Sequence, residues 1–425
     1  MRRSVKGLNL LYLQPMKDNL LERSPTILAL IGYYLPGFKS GGPLRSVENL
    51  VAALGEEFRF KIITTDRDIG DTMPYPGIEA NQRMRVGNAD VTYLEPGPSG
   101  LLRMVGLLSS VDSETVLYLN SYFARRFSML ALLMRRLGLC RPWSVVLAPR
   151  GEFSPGALSL GRTKKILYIR LSRWLGIYRN IVWHASTEVE AADIRQWFPG
   201  LCSIDAARSD SKGDHGTSVL ATARDLPAAR MAVGRRTRRK SAGKLDIVFV
   251  SRISPKKNLL GALKILEGAT GEIAFQIYGP VEDASYWDAC QRKIAALPRN
   301  IRVEYCGEIG HEKVGQVFAK HDLFLFPTLG ENYGHVICEA LAEGCPVLIS
   351  DQTPWRNLEE HGVGWDIPLD RTAEFRGVLQ KCVDANDEWC SALSARAIAY
   401  ADKAASDPEI ASANRRLFRF AARMG

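Results

Sequence analysis

Short apolar runs rich in β-branched residues recur along the chain, each followed by turn formers and then by apolar positions three and four apart. The first, TILALIG at residues 26–32, gives way to Gly37, Gly41, Gly42 and Pro43 and then to a helical pattern over 44–54. FRFKIITT at 58–65 reads as the next strand, and runs at 91–94, 116–120, 144–148 and 181–185 continue the series with helical patterns between them. Strand, loop, helix, strand is the repeat of a parallel sheet. Residues 26–201 are therefore expected to form one doubly wound domain.

The alternation breaks at 202–243. This segment has no aromatic residue and carries nine basic side chains (Arg208, Lys212, Arg224, Arg230, Arg235, Arg236, Arg238, Arg239, Lys240) against four acidic ones (Asp205, Asp210, Asp214, Asp225). It is expected to be a solvated, poorly ordered basic linker outside either core. A second alternation follows over 244–385, with strands at 247–250, 273–278, 303–306, 323–326 and 347–350 and helices at 258–267, 286–296, 312–321 and 335–343. Residues 386–425 read as further helices, the last crossing back to the N-terminal domain. Residues 1–25 read as an extension; Arg2, Arg3 and Lys6 precede too short an apolar run for a secretory signal. The fold class is thus α/β: two Rossmann-like parallel-sheet domains facing a cleft at the C-terminal ends of their strands.

Composition narrows the class further. Of 425 residues, 46% are hydrophobic and 24% charged, as in a globular enzyme. No uncharged apolar run reaches the ~18 residues of a membrane-spanning helix. The eight cysteines form no C-x-x-C pair, which disfavours zinc ribbons and redox dithiols and fits a reducing cytosol. The net charge of +10 favours anionic partners. Nucleic acid is not expected among them, because no interleaved aromatic and basic module is present. Residues 161–179 mix Lys164, Lys165, Arg170, Arg173 and Arg179 with Ile166, Leu167, Leu171, Trp174, Leu175 and Tyr178. That pattern suits a surface helix with its apolar face in the core, or a basic amphipathic helix lying on an anionic membrane.

The chemistry-bearing residues cluster where strands end. In GENYGHVICEA at 330–340, Glu331 falls in a loop and Glu339 one turn into the following helix, on the face of His335. Glu331 can accept hydrogen bonds from sugar hydroxyls and Glu339 from the vicinal hydroxyls of a ribose. The glycines and the helix N-terminus between them suit an anion. In SRISPKKN at 251–258, Arg252 offers a planar fork for phosphate and Lys257 a point charge, while Lys256 reads as a solvated neighbour. Gly41 and Gly42 permit close backbone approach at the head of the first helix. Arg150, after the strand at 144–148, faces the same cleft. Asp66-Arg67-Asp68 matches the D-x-D of metal sites only superficially and reads as a loop of solvated charges. The six histidines are scattered, so no metal site is expected.

The stretch 330–340, with the strand before it and ALAEGCPV after it, resembles the E-x7-E signature of glycosyltransferase family 4. The resemblance is strongest over 244–370, weaker over 26–199 and absent over 202–243, where relatives cross with a short strand ending in Pro-Asn-Gly. It implies a GT-B fold and retaining, metal-independent hexosyl transfer from a nucleotide sugar, with no cofactor beyond that co-substrate. Arg252 and Lys257 would clamp the diphosphate, and Glu331 would orient the donor sugar. Asn332, Tyr333, Gly334 and Glu339 would complete the donor site, and Gly41-Gly42 would lie against the phosphates. Asn120 and Arg150 would lie on the acceptor side, Asn120 standing where many members have a histidine. The implied setting is bacterial polysaccharide assembly at the cytoplasmic face of the membrane, with a saccharide or lipid-linked acceptor. A sugar-nucleotide epimerase of the same architecture and a basic nucleic-acid-binding protein are the competing readings.

Overall fold

The computed structural model describes residues 24–424, apart from 113, 140–143, 160, 205–217 and 229–238. The N-terminal extension lies almost wholly outside the described residues, as does most of the basic segment between the domains. The first sheet contains β1 (Thr26–Leu30), β2 (Arg59–Thr65), β3 (Arg83–Val86), β4 (Ala89–Leu94), β5 (Val116–Leu119), β6 (Ser144–Leu147), β7 (Val182–Ala185), β8 (Cys202–Ser203) and β9 (Val219–Thr222). Their order is β3-β4-β2-β1-β5-β6-β7-β9-β8, with every pairing parallel except β3 with β4. The second sheet contains β10 (Lys244–Val250), β11 (Glu272–Tyr278), β12 (Ile301–Gly307), β13 (Leu323–Phe326), β14 (Val347–Ser350) and β15 (Gly364–Ile367), in the order β12-β11-β10-β13-β14-β15. All of its pairings are parallel.

The central strands are buried along their whole length: β5, β6, β7, β13 and β14 expose nothing. Helices cover both faces of a parallel sheet, so its inner strands read as continuous apolar runs. In each sheet the strand order reverses once, between β1 and β5 in the first and between β10 and β13 in the second. Chain leaving two adjacent strands in opposite directions opens a crevice there. The loops after β1, β5, β10 and β13 are those that hold Gly41-Gly42, Asn120, Arg252 with Lys257, and Glu331.

The basic segment requires a correction. Val219–Thr222 pairs with β7 and β8, and Val219, Leu220, Ala221, Ala223 and Leu226 are all buried in the first domain. This part of 202–243 is a core strand and not solvated linker. Its apolar run is four residues long, and the polar stretch before it and the arginine-rich stretch after it masked it. Cys202–Ser203 is likewise a strand, and Lys240, expected to be solvated, is 5% exposed with its ammonium donating to the carbonyls of Ser241 at 3.0 Å and Val383 at 3.2 Å; for residues 205–217 and 229–238 the expectation of poor order lies outside the described residues.

The last helix, Pro408–Arg423, lies against the first domain. Phe418 is fully buried there, its ring 5.9 Å from Phe58, 6.5 Å from Phe60 and 5.4 Å from Tyr118. Ile410, Leu417 and Ala421 join the same cluster, and Asn414 donates to the Arg224 carbonyl at 2.8 Å. Arg415 and Arg419 add ion pairs to Glu57 at 2.5 and 3.2 Å on the surface. Phe418→Ala should therefore cost about 3–5 kcal/mol through the cavity it leaves. Arg415→Ala should cost less than about 1 kcal/mol, because exposed ion pairs are screened. Denaturant unfolding of the two variants checks both values.

Candidate active site

A cleft of about 250 Å³ opens between the two domains. Gly41, Gly42, Arg45, Ser46, Arg150 and Asp225 line it from the first domain, and Arg252, Lys256, Lys257, Glu331, His335 and Glu339 from the second. Four carboxylates and cations that the sequence places 87 positions apart at most (Arg252 to Glu339) thus meet in one crevice. Asn332, Tyr333 and Gly334 also line it. Asn120 lies just behind its wall, 5% exposed, and holds the wall together.

Local chain geometry explains the convergence on the second domain. After β10 the chain turns through Pro255–Lys257 and reaches Asn258, whose left-handed backbone (φ 57°) starts the next helix. Asn258 Oδ1 accepts from Gly261 N–H at 3.2 Å, capping that helix, and its amide donates to the Pro327 carbonyl at 2.7 Å. The Lys256 carbonyl accepts from Leu329 N–H at 2.9 Å. The loops after β10 and β13 are therefore fastened together, and Lys257 Nζ reaches Glu331 Oε1 at 2.5 Å. Burial pushes the Glu331 carboxyl up, but Lys257 and then Lys256 and Thr328 outweigh it and hold it below the usual carboxylate range. Arg252 stands nearer the rim and pairs with Glu282 at 2.9 Å. Glu339 lies 4.0 Å from His311 at the far end of the cleft.

Tyr333 is 5% exposed, with its carbonyl accepting from Trp355 Nε1 at 2.6 Å. It anchors the loop between the two glutamates as much as it lines the cleft. Gly334, at φ 79°, precedes the helix His335–Ala342, a conformation that favours glycine.

The glycine loop of the first domain is held by groups the sequence left unassigned. Asp68 Oδ2 accepts from the backbone N–H of Phe38 at 2.7 Å and of Lys39 at 3.0 Å. Asp66 and Asp68 are 2% and 3% exposed. Reading them as solvated charges was incorrect: they are buried carboxylates consumed by backbone donors and by Arg67. Among the described residues no cluster of metal-ligating side chains occurs. Lys39 continues across the cleft to Glu308 of the second domain at 3.1 Å, while pairing with Asp71 at 2.8 Å.

Lys256 also needs correcting. It is half-buried and lines the cleft rather than pointing into solvent. Burial depresses its ammonium below the ordinary lysine range, and Glu331 offsets this only in part.

The residue that sequence reasoning missed outright is Asp225. It follows β9 and is 4% exposed. Arg150 Nη1 donates to its Oδ1, and Ser46 Oγ donates to its Oδ2 at 2.8 Å. His335 Nε2 lies 3.7 Å from Asp225 Oδ2 and 3.0 Å from Ser46 Oγ. Arg150 in turn donates to Asn120 Oδ1 at 2.7 Å, and the Asn120 amide donates to the Pro43 carbonyl at 2.9 Å. Asn120 and Arg150 therefore lie together, and their contacts are structural ones within the wall. Burial would raise the Asp225 carboxyl, but Arg150 and then His335 overcome it and hold it far below the usual range. The available signal was positional, since Asp225 stands just beyond a strand end, as Arg150, Arg252 and Glu331 do.

A second bridge lies beside it. Asn332 Nδ2 donates to Ser186 Oγ at 2.6 Å, and Glu190 accepts from Ser186 and from Gly151 N–H. Gly151, at φ 73°, would place a Cβ 3.1 Å from that of Asn332, so the domains approach here because the side chain is missing.

Two sheets facing each other, with these loops between, define the class: the architecture is that of the GT-B glycosyltransferases. Residues 234–396 match the family model described as glycosyl transferases group 1. The O-antigen chain mannosyltransferase B of Escherichia coli is 26% identical over 161 residues, 36% of this chain and 40% of that protein. The chain thus spans 40% of the length of this curated relative. Among solved structures, Anabaena HepE in complex with UDP and glucose superposes with a TM-score of 0.62 at 16% identity, covering 93% of this chain and 98% of that one. Sucrose-phosphate synthase of Thermosynechococcus elongatus gives 0.64 at 15% identity, with the same coverage. An α,α-trehalose-phosphate synthase (UDP-forming) of Burkholderia vietnamiensis gives 0.62 at 13% identity, covering 94% and 100%.

The depressed Asp225 carboxyl contributes stability that is complete above the unfolded-state value, about pH 4, and is lost as pH falls below it. Asp225→Asn should flatten the acid limb of the stability curve. At pH 7 it should cost roughly 3–5 kcal/mol, because Arg150 stays buried without its counter-charge. Urea midpoints measured from pH 3 to 7 for both proteins give the comparison.

Proposed function

We propose that this protein is a retaining, metal-independent glycosyltransferase that moves a hexosyl group from a nucleotide sugar to a saccharide or lipid-linked acceptor. The observation that carries the reading is the meeting of Arg252, Lys257, Glu331 and Glu339 in one interdomain cleft opposite Gly41-Gly42. Diphosphate leaving-group charge grows as the glycosidic bond breaks, and fixed cations in a confined site stabilise it. Arg252 and Lys257 supply those cations. Glu331, held ionised, accepts from sugar hydroxyls; Glu339 anchors the ribose; the glycine loop lies against the phosphates. Similarity of residues 234–396 to group 1 glycosyl transferases supports this assignment of the donor side. The mannosyltransferase relative supports a role in polysaccharide assembly.

Lys257 is paired with Glu331 in the cleft, and on this reading its ammonium turns to the diphosphate of the bound donor. Lys257→Ala should lower turnover about a hundredfold, equivalent to roughly 3 kcal/mol of barrier. Lys264→Ala, on the exposed face of the next helix, should leave it unchanged. Steady-state transfer rates, once thermal-shift screening has identified the donor, test the pair alongside melting curves. Equal losses in the two variants would remove Lys257 from the clamp.

The acceptor side of the proposal includes contact with an anionic membrane at the cytoplasmic face. In the helix Arg162–Trp174 only Ile169 and Ser172 are buried. Leu167, Leu171 and Trp174 are 66%, 49% and 79% exposed, beside exposed Lys164, Arg170 and Arg173. Arg135 fastens the end of the neighbouring helix, with exposed Leu133 and Leu137, to the carbonyls of Arg179 and Asn180. An apolar surface rimmed by cations suits shallow insertion among anionic headgroups. No helix among the described residues is long and apolar enough to cross a bilayer. Trp174→Asp with Leu171→Asp should abolish sedimentation with phosphatidylglycerol vesicles without altering the melting temperature; retained binding would refute the contact.

A further inference from the structure

The cations lining the cleft are not equivalent. Lys39 pairs with Asp71 and Glu308, Arg45 with Glu48, Arg150 with Asp225, Arg252 with Glu282 and Lys257 with Glu331. Lys256 is the exception: among the described residues its ammonium makes no hydrogen bond or ion pair, although the side chain is half-buried. A desolvated ammonium without a partner is unfavourable, and its depressed protonation reflects that cost. Glu331 lies near enough to act on it electrostatically but is already engaged by Lys257.

Lys257 and Arg252 stand close enough to act on Lys256 electrostatically, but its stem takes a course of its own. Lys256 Cε runs along the loop after β13, 4.0 Å from where a Cβ on Gly330 would stand. That places it beside Glu331, which orients the sugar on the reading above. Glu152, in the turn that also carries Arg150, acts on it from the opposite domain. Lys256 thus stands between the donor-sugar loop and the first domain.

Resting on the glycosyltransferase reading above, we infer that Lys256 forms an oxyanion subsite at the sugar end of the cleft, for a negatively charged group other than the donor diphosphate. That group is either a carboxylate on the transferred sugar or a phosphate on the acceptor. A lysine ammonium offers three donors to either, and in a water-poor site a charge-assisted contact selects strongly against a neutral analogue.

Calorimetric titration of the full chain separates the sources. One arm compares UDP-glucuronate with UDP-glucose, and GDP-mannuronate with GDP-mannose. The other compares geranyl phosphate with geraniol in the presence of saturating UDP or GDP. The expected result is that one anionic probe binds at least about tenfold more tightly than its neutral partner. Lys256→Met should collapse that ratio toward one, and Lys256→Arg should retain it. A preference in the first arm assigns the subsite to the sugar, and in the second to the acceptor. Wild-type protein that binds nucleotide but shows no preference in either arm overturns the inference alone. So does a Lys256→Met variant that loses affinity for UDP or GDP itself as severely as Lys257→Met, which would make Lys256 a third diphosphate cation. Wild-type protein that binds neither nucleotide nor nucleotide sugar overturns the glycosyltransferase reading as well.

Discussion

The Asp225 carboxylate is the constraint from which the geometry of the cleft follows. It is shut away from water between two domains and yet remains ionised, because Arg150 and Ser46 of the first domain and His335 of the second converge on it. A buried charge is tolerated only when its partners are complete. Rotating the domains apart would withdraw His335, while shifting the Arg150 turn would leave two opposite charges unmatched. Arg150 itself tolerates a left-handed backbone (φ 58°) to deliver its guanidinium there. Through Asn120 and the Pro43 carbonyl, the same network fixes the start of the first helix and with it the glycine loop.

Across the cleft the electrostatics follow a different logic. Most of its cations have carboxylate partners, so the site carries little uncompensated charge. This limits the self-repulsion that six cations in a small volume would otherwise produce. It also means that binding is an exchange of partners, which favours ligands able to replace a carboxylate at the same place.

Much of this was legible in the chain. The ends of β1, β5, β10 and β13 could be located because strands buried on both faces are plain apolar runs, and the chemistry stood where those runs stopped. That Arg252, Lys257 and Glu331 would meet in one cleft was readable for that reason, whereas Glu339, inside a helix, was singled out by the E-x7-E resemblance. The failures have physical causes. β9 is four residues long, between a polar stretch and an arginine-rich one, so composition hid both it and Asp225. Asp66 and Asp68 looked solvated because sequence does not reveal which backbone N–H groups a fold leaves needing acceptors. Lys256 and Lys257 are adjacent, and their directions are set by a single tight turn at Pro255–Lys257 that no periodicity describes.

The position of the last helix has a consequence for how the protein is made. Phe418 completes a cluster whose other aromatic members, Phe58, Phe60 and Tyr118, leave the ribosome some 300 residues or more earlier. At synthesis rates of about 5–20 residues per second, that interval is roughly 15–60 s. Throughout it the nascent first domain carries an open apolar face, while the second domain, whose sheet is continuous in the chain from Lys244 to Ile367, can close on its own. The order of emergence is therefore the reverse of the order of completion, and the first domain depends on a segment synthesised after the whole second sheet.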